Sequence, residues 1–126
     1  MYFERLALEI TATAAGWEVI KPAWRIGTSG VEHRFTFLAS DSGHVYGFDL
    51  YPEIGEIEVL RTFIKEMDTG ASGVLVCLSG KPSGRAQDVA AELGVRILSP
   101  AEIGGFFKSE KMLLLDSREA QEPDLR

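Results

Sequence analysis

The chain contains a single cysteine, Cys77, and only two histidines and five prolines in 126 residues. One cysteine cannot make an internal disulfide, which points to a reducing compartment. Cys77 lies inside the apolar run GVLVCLS, where a thiol behaves as a small core hydrophobe. No apolar stretch approaches the roughly 18 residues of a membrane span, and the start MYFERLALEI lacks a basic leader followed by a cleavage site. The expectation is a cytoplasmic protein with no membrane partner. Positive charge is also scarce: 13 Lys and Arg against 19 Asp and Glu leave a net charge of -6. That balance excludes an indiscriminate nucleic-acid binder, because phosphate contacts need cations, while leaving room for a local basic groove. Repeats and low-complexity tracts are absent. A hydrophobic content of 45% and a charged fraction of 25% are those of a globular chain, and 126 residues suffice for one domain.

Apolar residues at helical spacing (Phe3, Leu6, Ala7, Ile10, Ala14) predict a first helix from Phe3 to Ala15, with Gly16 as its stop. WEVIKPAWRI is rich in strand formers, and Pro22 confines it to an edge or splits it. VEHRFTFLA reads as a strand, SDSG as a turn and HVYGFDLY as the returning strand of a hairpin. A second helix follows PEIGE, with Ile57, Leu60, Ile64 and Met67 on one face and Glu58, Arg61, Thr62, Lys65 and Asp68 on the other, the pattern of a helix laying an apolar stripe on a core. SGVLVCLS lacks alternation, as does a strand covered on both faces. Ser83 to Leu93 predicts a third helix, and VRILS a last strand, parallel to its predecessor through a right-handed crossover. PAEIGGFF suggests a short helix interrupted by glycine, KMLLLD a helix turn or an edge strand, and SREAQEPDLR a frayed polar tail. The order predicts an α/β fold: a mixed five-stranded sheet, three antiparallel strands plus a parallel crossover pair, with helices on both faces.

That order, with FERLALEITATAAGWEV, SGVEHRFTFLA, VYGFDLY and GVLVCLSGKPSGRAQDVAAELGVRIL, resembles the restriction-endonuclease-like superfamily, the PD-(D/E)xK nucleases, especially Mrr-type and archaeal-style members. The resemblance covers about residues 1 to 107, implies a three-layer restriction-endonuclease-like domain there, and leaves 108–126 as a C-terminal extension with a polar tail. In active members one strand ends in an Asp and the next carries an acid, any residue, then Lys. Two carboxylates hold a magnesium ion, and the lysine orients water and steadies phosphate charge. Carried onto this chain, the first acid falls on Thr36, a neutral hydroxyl. The second falls on Asp49, thirteen residues later, and the lysine on Tyr51, a phenol uncharged near neutral pH.

The resemblance therefore implies a degenerate, inactive nuclease domain serving as a binding or assembly module in nucleic-acid metabolism or defence, with no cofactor. The alternative is an active magnesium-dependent DNA endonuclease in which Asp49 binds metal weakly, Glu4 supplies the helix acid and Lys65 a relocated lysine. Lys65 lies on the polar face of its helix, where a solvated lysine is the simpler reading. Asp49, if no ligand, is expected to pair with Arg34 or another cation on the neighbouring strand, to sit on a solvent-facing edge, or to remain as a relic of the site. A third alternative is a homo-oligomeric regulatory protein that binds no nucleic acid.

CLSGKPSGR has a strand before Gly80-Lys81 and a helix after, yet Pro82 stands where a P-loop needs Ser or Thr. A helix start there can still hold an anion such as a DNA phosphate, and Arg25, Arg34, Lys81 and Arg85 are the cations that would line a nucleic-acid path. His33 is expected to be a hydrogen-bonded strand histidine and His44 a surface one. Trp17, Trp24, Phe35, Phe37, Tyr46, Phe48, Tyr51, Phe106 and Phe107 exceed what one side of a small sheet buries; core packing is the reading for most of them, and rings left on an exterior patch would favour self-association.

Overall fold

The computed structural model describes residues 2–111, with side chains from residue 4. Helix α1 (Tyr2–Ala14) sends Leu8 and Ala12 into the core and ends before Gly16, whose φ of 86° lies in the left-handed region. The segment around Pro22 splits into β1 (Glu18–Ile20) and β2 (Trp24–Ile26). VEHRFTFLA splits as well, into β3 (Glu32–Arg34) and β4 (Phe37–Asp41), so the single strand expected there is two. The break falls at Phe35 and Thr36, whose backbone amides leave the β3 ladder to bond Ala23 O and Phe48 O. β2 and β3 consequently form a separate antiparallel hairpin beside the main sheet. β4 continues into β5 (His44–Tyr51) through Ser42 and Gly43, both at positive φ, the two-residue turn whose twist matches the strands it joins.

Helix α2 (Glu56–Thr69), β6 (Ser72–Cys77), α3 (Gly84–Leu93) and β7 (Arg96–Leu98) complete the crossover half. The main sheet runs β1-β4-β5-β6-β7, antiparallel among the first three and parallel from β5 to β7, as the order of elements predicts. A 3-10 turn at Pro100–Glu102 leads into a helix over 103–111, here α4, which runs through Gly104 and Gly105 without interruption. The boundary expected at residue 107 falls inside this helix. The expected KMLLLD element shares only Lys111, the last described residue of this helix, and otherwise lies, with the tail, outside the described residues.

β6 explains the layers. Val74 and Val76 point to one face, against α1 and α4 residues such as Leu8 and Phe107; Leu75 and Cys77 point to the other, against Val59 of α2 and Ala86 and Val89 of α3. Both faces are covered, which is why this strand reads as a continuous apolar run. Half of the aromatic residues are spent here: Trp17, Phe37, Tyr46, Phe48, Phe106 and Phe107 interlock on the α1–α4 face, with Trp17 meeting Tyr46 edge-on at a centroid distance of 5.2 Å. Of the rings expected to exceed one side of the sheet, Trp24 is exposed and Tyr51 is half-buried. Most of these rings pack in the core, as expected, and among the described residues no exterior aromatic patch forms.

The far end of α4 is tied down by polar contacts. Tyr46 OH donates to Glu110 Oε2 at 2.7 Å, Arg96 donates to Glu110 Oε1 at 2.7 Å, and Lys111 Nζ reaches Asp41 Oδ1 at 3.0 Å. Burial opposes charge on Glu110, yet Arg96 and the Tyr46 hydroxyl outweigh it and hold the carboxyl below its ordinary range. A carboxyl depressed by folding contributes stability that is present above its unfolded pKa and lost as pH falls through the folded one. Acidification below about pH 4.5 is therefore expected to loosen α4, seen as a red shift of fluorescence from Trp17, whose Nε1 donates to Phe107 O at 3.0 Å. Glu110→Gln should remove most of that acid-dependent step and lower stability at pH 7 by about 1–3 kcal/mol.

One correction concerns α2. The stripe Ile57, Leu60, Ile64 and Met67, expected to lie on the core, faces solvent. The inner side carries Val59 and Thr62, both buried, and the half-buried Phe63, together with Lys65 and Glu66, while Asp68 stands at its margin near the end of the helix. Each of these three polar groups has a specific partner below: Lys65 meets Asp49, Glu66 accepts from Gly73 N at 2.8 Å, and Asp68 accepts from Ser29 N at 2.9 Å. Thr62 fits against Gly73, where any Cβ would collide with its methyl group. Val59 and the half-buried Phe63 meet the apolar cluster around Leu75 and Cys77, and the polar residues beside them are accepted inside because each finds a polar partner there.

Candidate functional site

Asp49 lies in the middle of the sheet, opposite Leu75 of β6 and on the face covered by α2. It is only 7% exposed. A lone carboxylate so placed demands compensation, and both oxygens receive it. Oδ1 accepts from the backbone amide of Thr36 at 3.0 Å and lies 3.5 Å from the Thr36 hydroxyl; Oδ2 accepts from Lys65 Nζ at 2.8 Å. The ammonium also donates to the carbonyl of Arg34 and sits 4.8 Å from the centre of the Phe35 ring. Phe35 in turn covers Gly47, where a Cβ would overlap the ring. The break between β3 and β4 is what makes this geometry: it turns the Arg34 carbonyl and the Thr36 amide toward the same point.

Lys65 is thus a half-buried partner of Asp49 rather than the solvated surface lysine that its polar helix face suggests. Asp49 pairs neither with Arg34 nor with solvent; the Arg34 guanidinium turns outward to Glu32 at 2.8 Å. Tyr51 shares the face of Asp49, two residues along the strand, and burial followed by the negative charge of Asp49 raises its phenol above the ordinary range. A phenol held neutral in this way supplies no cation. Glu4 does not join the group. It borders a 280 Å³ apolar cavity with Leu8, Leu50 and Val76 on the opposite side of the sheet. Leu50 and Asp49 are consecutive on β5, so their side chains point apart and the sheet separates Glu4 from Asp49.

A magnesium site does not fit these residues. One carboxylate is present, its charge already matched by an ammonium 2.8 Å away, and the nearest side-chain oxygen beside it is a neutral hydroxyl. Among the described residues, no three His, Cys, Asp or Glu side chains gather where they could hold a metal ion.

The four cations expected along a nucleic-acid path are divided. Arg25 borders a small 180 Å³ cavity with His44 and Ser72, where β6 begins. Lys81 lies by Ser79 and Ser83, beyond the other end of β6, about 20 Å away along a six-residue strand. Arg85 faces Glu56 at 3.4 Å, and Arg34 is held by Glu32, so acids occupy two of the four. The Ser83 hydroxyl caps α3 by accepting from Ala86 N at 3.1 Å.

Sequence reasoning missed Asp68. Its carboxylate accepts from the Thr28 and Ser29 hydroxyls, at 3.0 and 2.6 Å, and from the Ser29 amide, and it meets His33 Nε2 at 2.7 Å. The Ser29 hydroxyl first, then His33 and the Ser29 amide, hold it well below the usual carboxylate range. This cluster pins the β2–β3 loop to the end of α2 and gives His33 the hydrogen-bonded strand role expected of it. His44 is exposed.

The fold and this geometry define a three-layer α/β domain with an ion pair buried beneath a helix. Among solved structures, the chain is similar to the protein of unknown function AF1548, with a TM-score of 0.63 and 16% sequence identity over 78% of this chain and 57% of that one. The chain thus spans little more than half of that protein's length, and the likeness is one of fold alone. No family model and no curated protein matches the sequence. No helix among the described residues is long and apolar enough to cross a membrane.

Proposed function

We propose that the chain is a restriction-endonuclease-like domain whose ion site has become a structural ion pair, and that it serves as a non-cleaving binding or assembly module in nucleic-acid metabolism or defence. The observation that carries this reading is the state of Asp49. The position matching the second acid of the nuclease motif is retained, but both oxygens are consumed by Thr36 and Lys65 inside the fold. Thr36 and Tyr51 stand where the other acid and the lysine would be, and neither offers a charge. Hydrolysis of a phosphodiester by this superfamily needs a bound divalent cation and a lysine free to meet water and phosphate; Lys65 is instead directed at Asp49 and a backbone carbonyl.

A second reading draws on the same contact. A lysine delivered to Asp49 by the following helix is what an endonuclease with a relocated lysine would possess. Supercoiled plasmid incubated with the purified protein separates the two. The inactive reading expects no nicking above buffer with magnesium or manganese, and no metal-dependent shift in melting temperature. Nicking that disappears in Asp49→Asn would establish the enzyme instead. DNA binding without cutting would show as a mobility shift that weakens with salt and ignores metal.

A further inference from the structure

α2 turns its more hydrophobic side away from the protein. Ile57, Leu60, Ile64 and Met67 are 61, 40, 58 and 69% exposed. Steps of three, four and three residues align them as one stripe down a fourteen-residue helix, the spacing of the seam in a pair of coiled helices. The stripe cannot be turned inward, because the opposite side is committed through Val59 to the core and through Lys65 and Glu66 to Asp49 and Gly73, and Asp68 at the margin holds the β2–β3 loop. Four adjacent large aliphatic side chains in water are an unfavourable surface that a covering partner relieves.

We infer that this stripe is the contact between two copies of the chain, packed as a short parallel pair of α2 helices about a two-fold axis. Charge on the flanks identifies the partner. Glu56 borders the stripe on one side and Arg61 on the other. In a parallel pair held in register, Glu56 of one copy comes beside Arg61 of the second, and symmetry repeats the contact. An antiparallel pair centred on the same stripe brings the two Arg61 side chains together. Glu56 is free to make the exchange, since its contact with Arg85 is long, at 3.4 Å, and Arg85 is largely exposed. Each helix is already held by its own sheet, so association carries no cost of helix nucleation. The contact is about 21 Å long and modest in area, the scale of a transient pair, so the association is expected to depend on concentration.

This inference deepens the assembly half of the proposed function and does not depend on the loss of cleavage. A monomeric protein that leaves plasmid intact would overturn the dimer alone; a dimer that nicks plasmid would overturn the inactive reading alone. Sedimentation equilibrium on the full chain is expected to show a mass rising from 13.8 kDa toward twice that value with concentration. Leu60→Glu and Ile64→Glu, both at exposed positions, should weaken association at least tenfold while leaving the circular dichroism spectrum unchanged. In the parallel register the two copies of residue 60 face each other, so Leu60→Cys should form a covalent dimer on mild oxidation, with Cys77 buried and out of reach. A mass fixed at 13.8 kDa up to about 500 µM, or association indifferent to both glutamate variants, overturns the interface. A dimer in which Leu60→Cys fails to cross-link overturns the parallel arrangement.

Discussion

Asp49→Ala lowers the unfolding free energy by about 3–5 kcal/mol, the usual consequence of removing one partner from a buried ion pair. The loss exceeds the worth of the pair, because the variant leaves the Lys65 ammonium under α2 with only the Arg34 carbonyl and the Phe35 ring, and leaves the Thr36 amide without one of its acceptors. The melting temperature should fall by about 10 °C or more. Replacing both partners with apolar groups of similar volume, Asp49→Leu with Lys65→Met, should recover much of the loss, since no charge is then stranded. Thermal and urea denaturation of the three variants measures the coupling directly. An unchanged melting temperature in Asp49→Ala would mean that the carboxylate is not structural, and would return it to the list of candidate catalytic acids.

The second large effect is expected at Phe107→Ala, about 3–5 kcal/mol. The ring is fully buried and meets Trp17, Phe37, Phe48 and Phe106, with centroid distances of 5.3, 6.5, 5.4 and 5.6 Å. Four neighbours from three parts of the chain cannot collapse into the gap, so most of the cavity cost persists. The carbonyl of residue 107 remains to accept from Trp17 Nε1, which keeps the backbone anchored and makes the change a test of packing alone. Near-ultraviolet dichroism of the aromatic cluster should weaken along with the melting temperature. A loss below about 1 kcal/mol would show that α4 is an accessory to the sheet rather than part of its core.

The sheet was legible in the sequence because its signals are local. SGVLVCLS announced a strand covered on both faces, Gly94 closed α3, and the SDSG turn fixed the β4–β5 hairpin to within a residue. Two strands were read as one wherever a break depended on contacts made elsewhere: nothing in VEHRFTFLA reveals that Phe35 and Thr36 bond Ala23 and Phe48 rather than a straight ladder. The helix face of α2 was misjudged for a related reason. Periodicity locates an apolar stripe but not what lies beneath the helix, and here the surface beneath combines a small apolar cluster around Leu75 with a carboxylate and a glycine. Asp49 itself was conspicuous, an acid among aromatic and aliphatic neighbours. Its partner was within reach of the same reasoning, since a carboxylate buried in a central strand requires a cation, and the next helix offers Lys65 at the turn that crosses it. Asp68 and Glu110 gave no comparable warning; their partners lie 35 to 40 and 14 to 64 residues away in sequence.

Among the described residues the rims of the main sheet are β1 and β7, three residues each. Strands that short present few unpaired amides, so neither rim offers an incoming chain a template of useful length. The apolar run of β6, Val74 to Val76, is held in the interior of the sheet with β5 and β7 on either side. Fibril formation from the native state is thereby blocked at both margins, and it becomes accessible only when the sheet opens to expose that central strand.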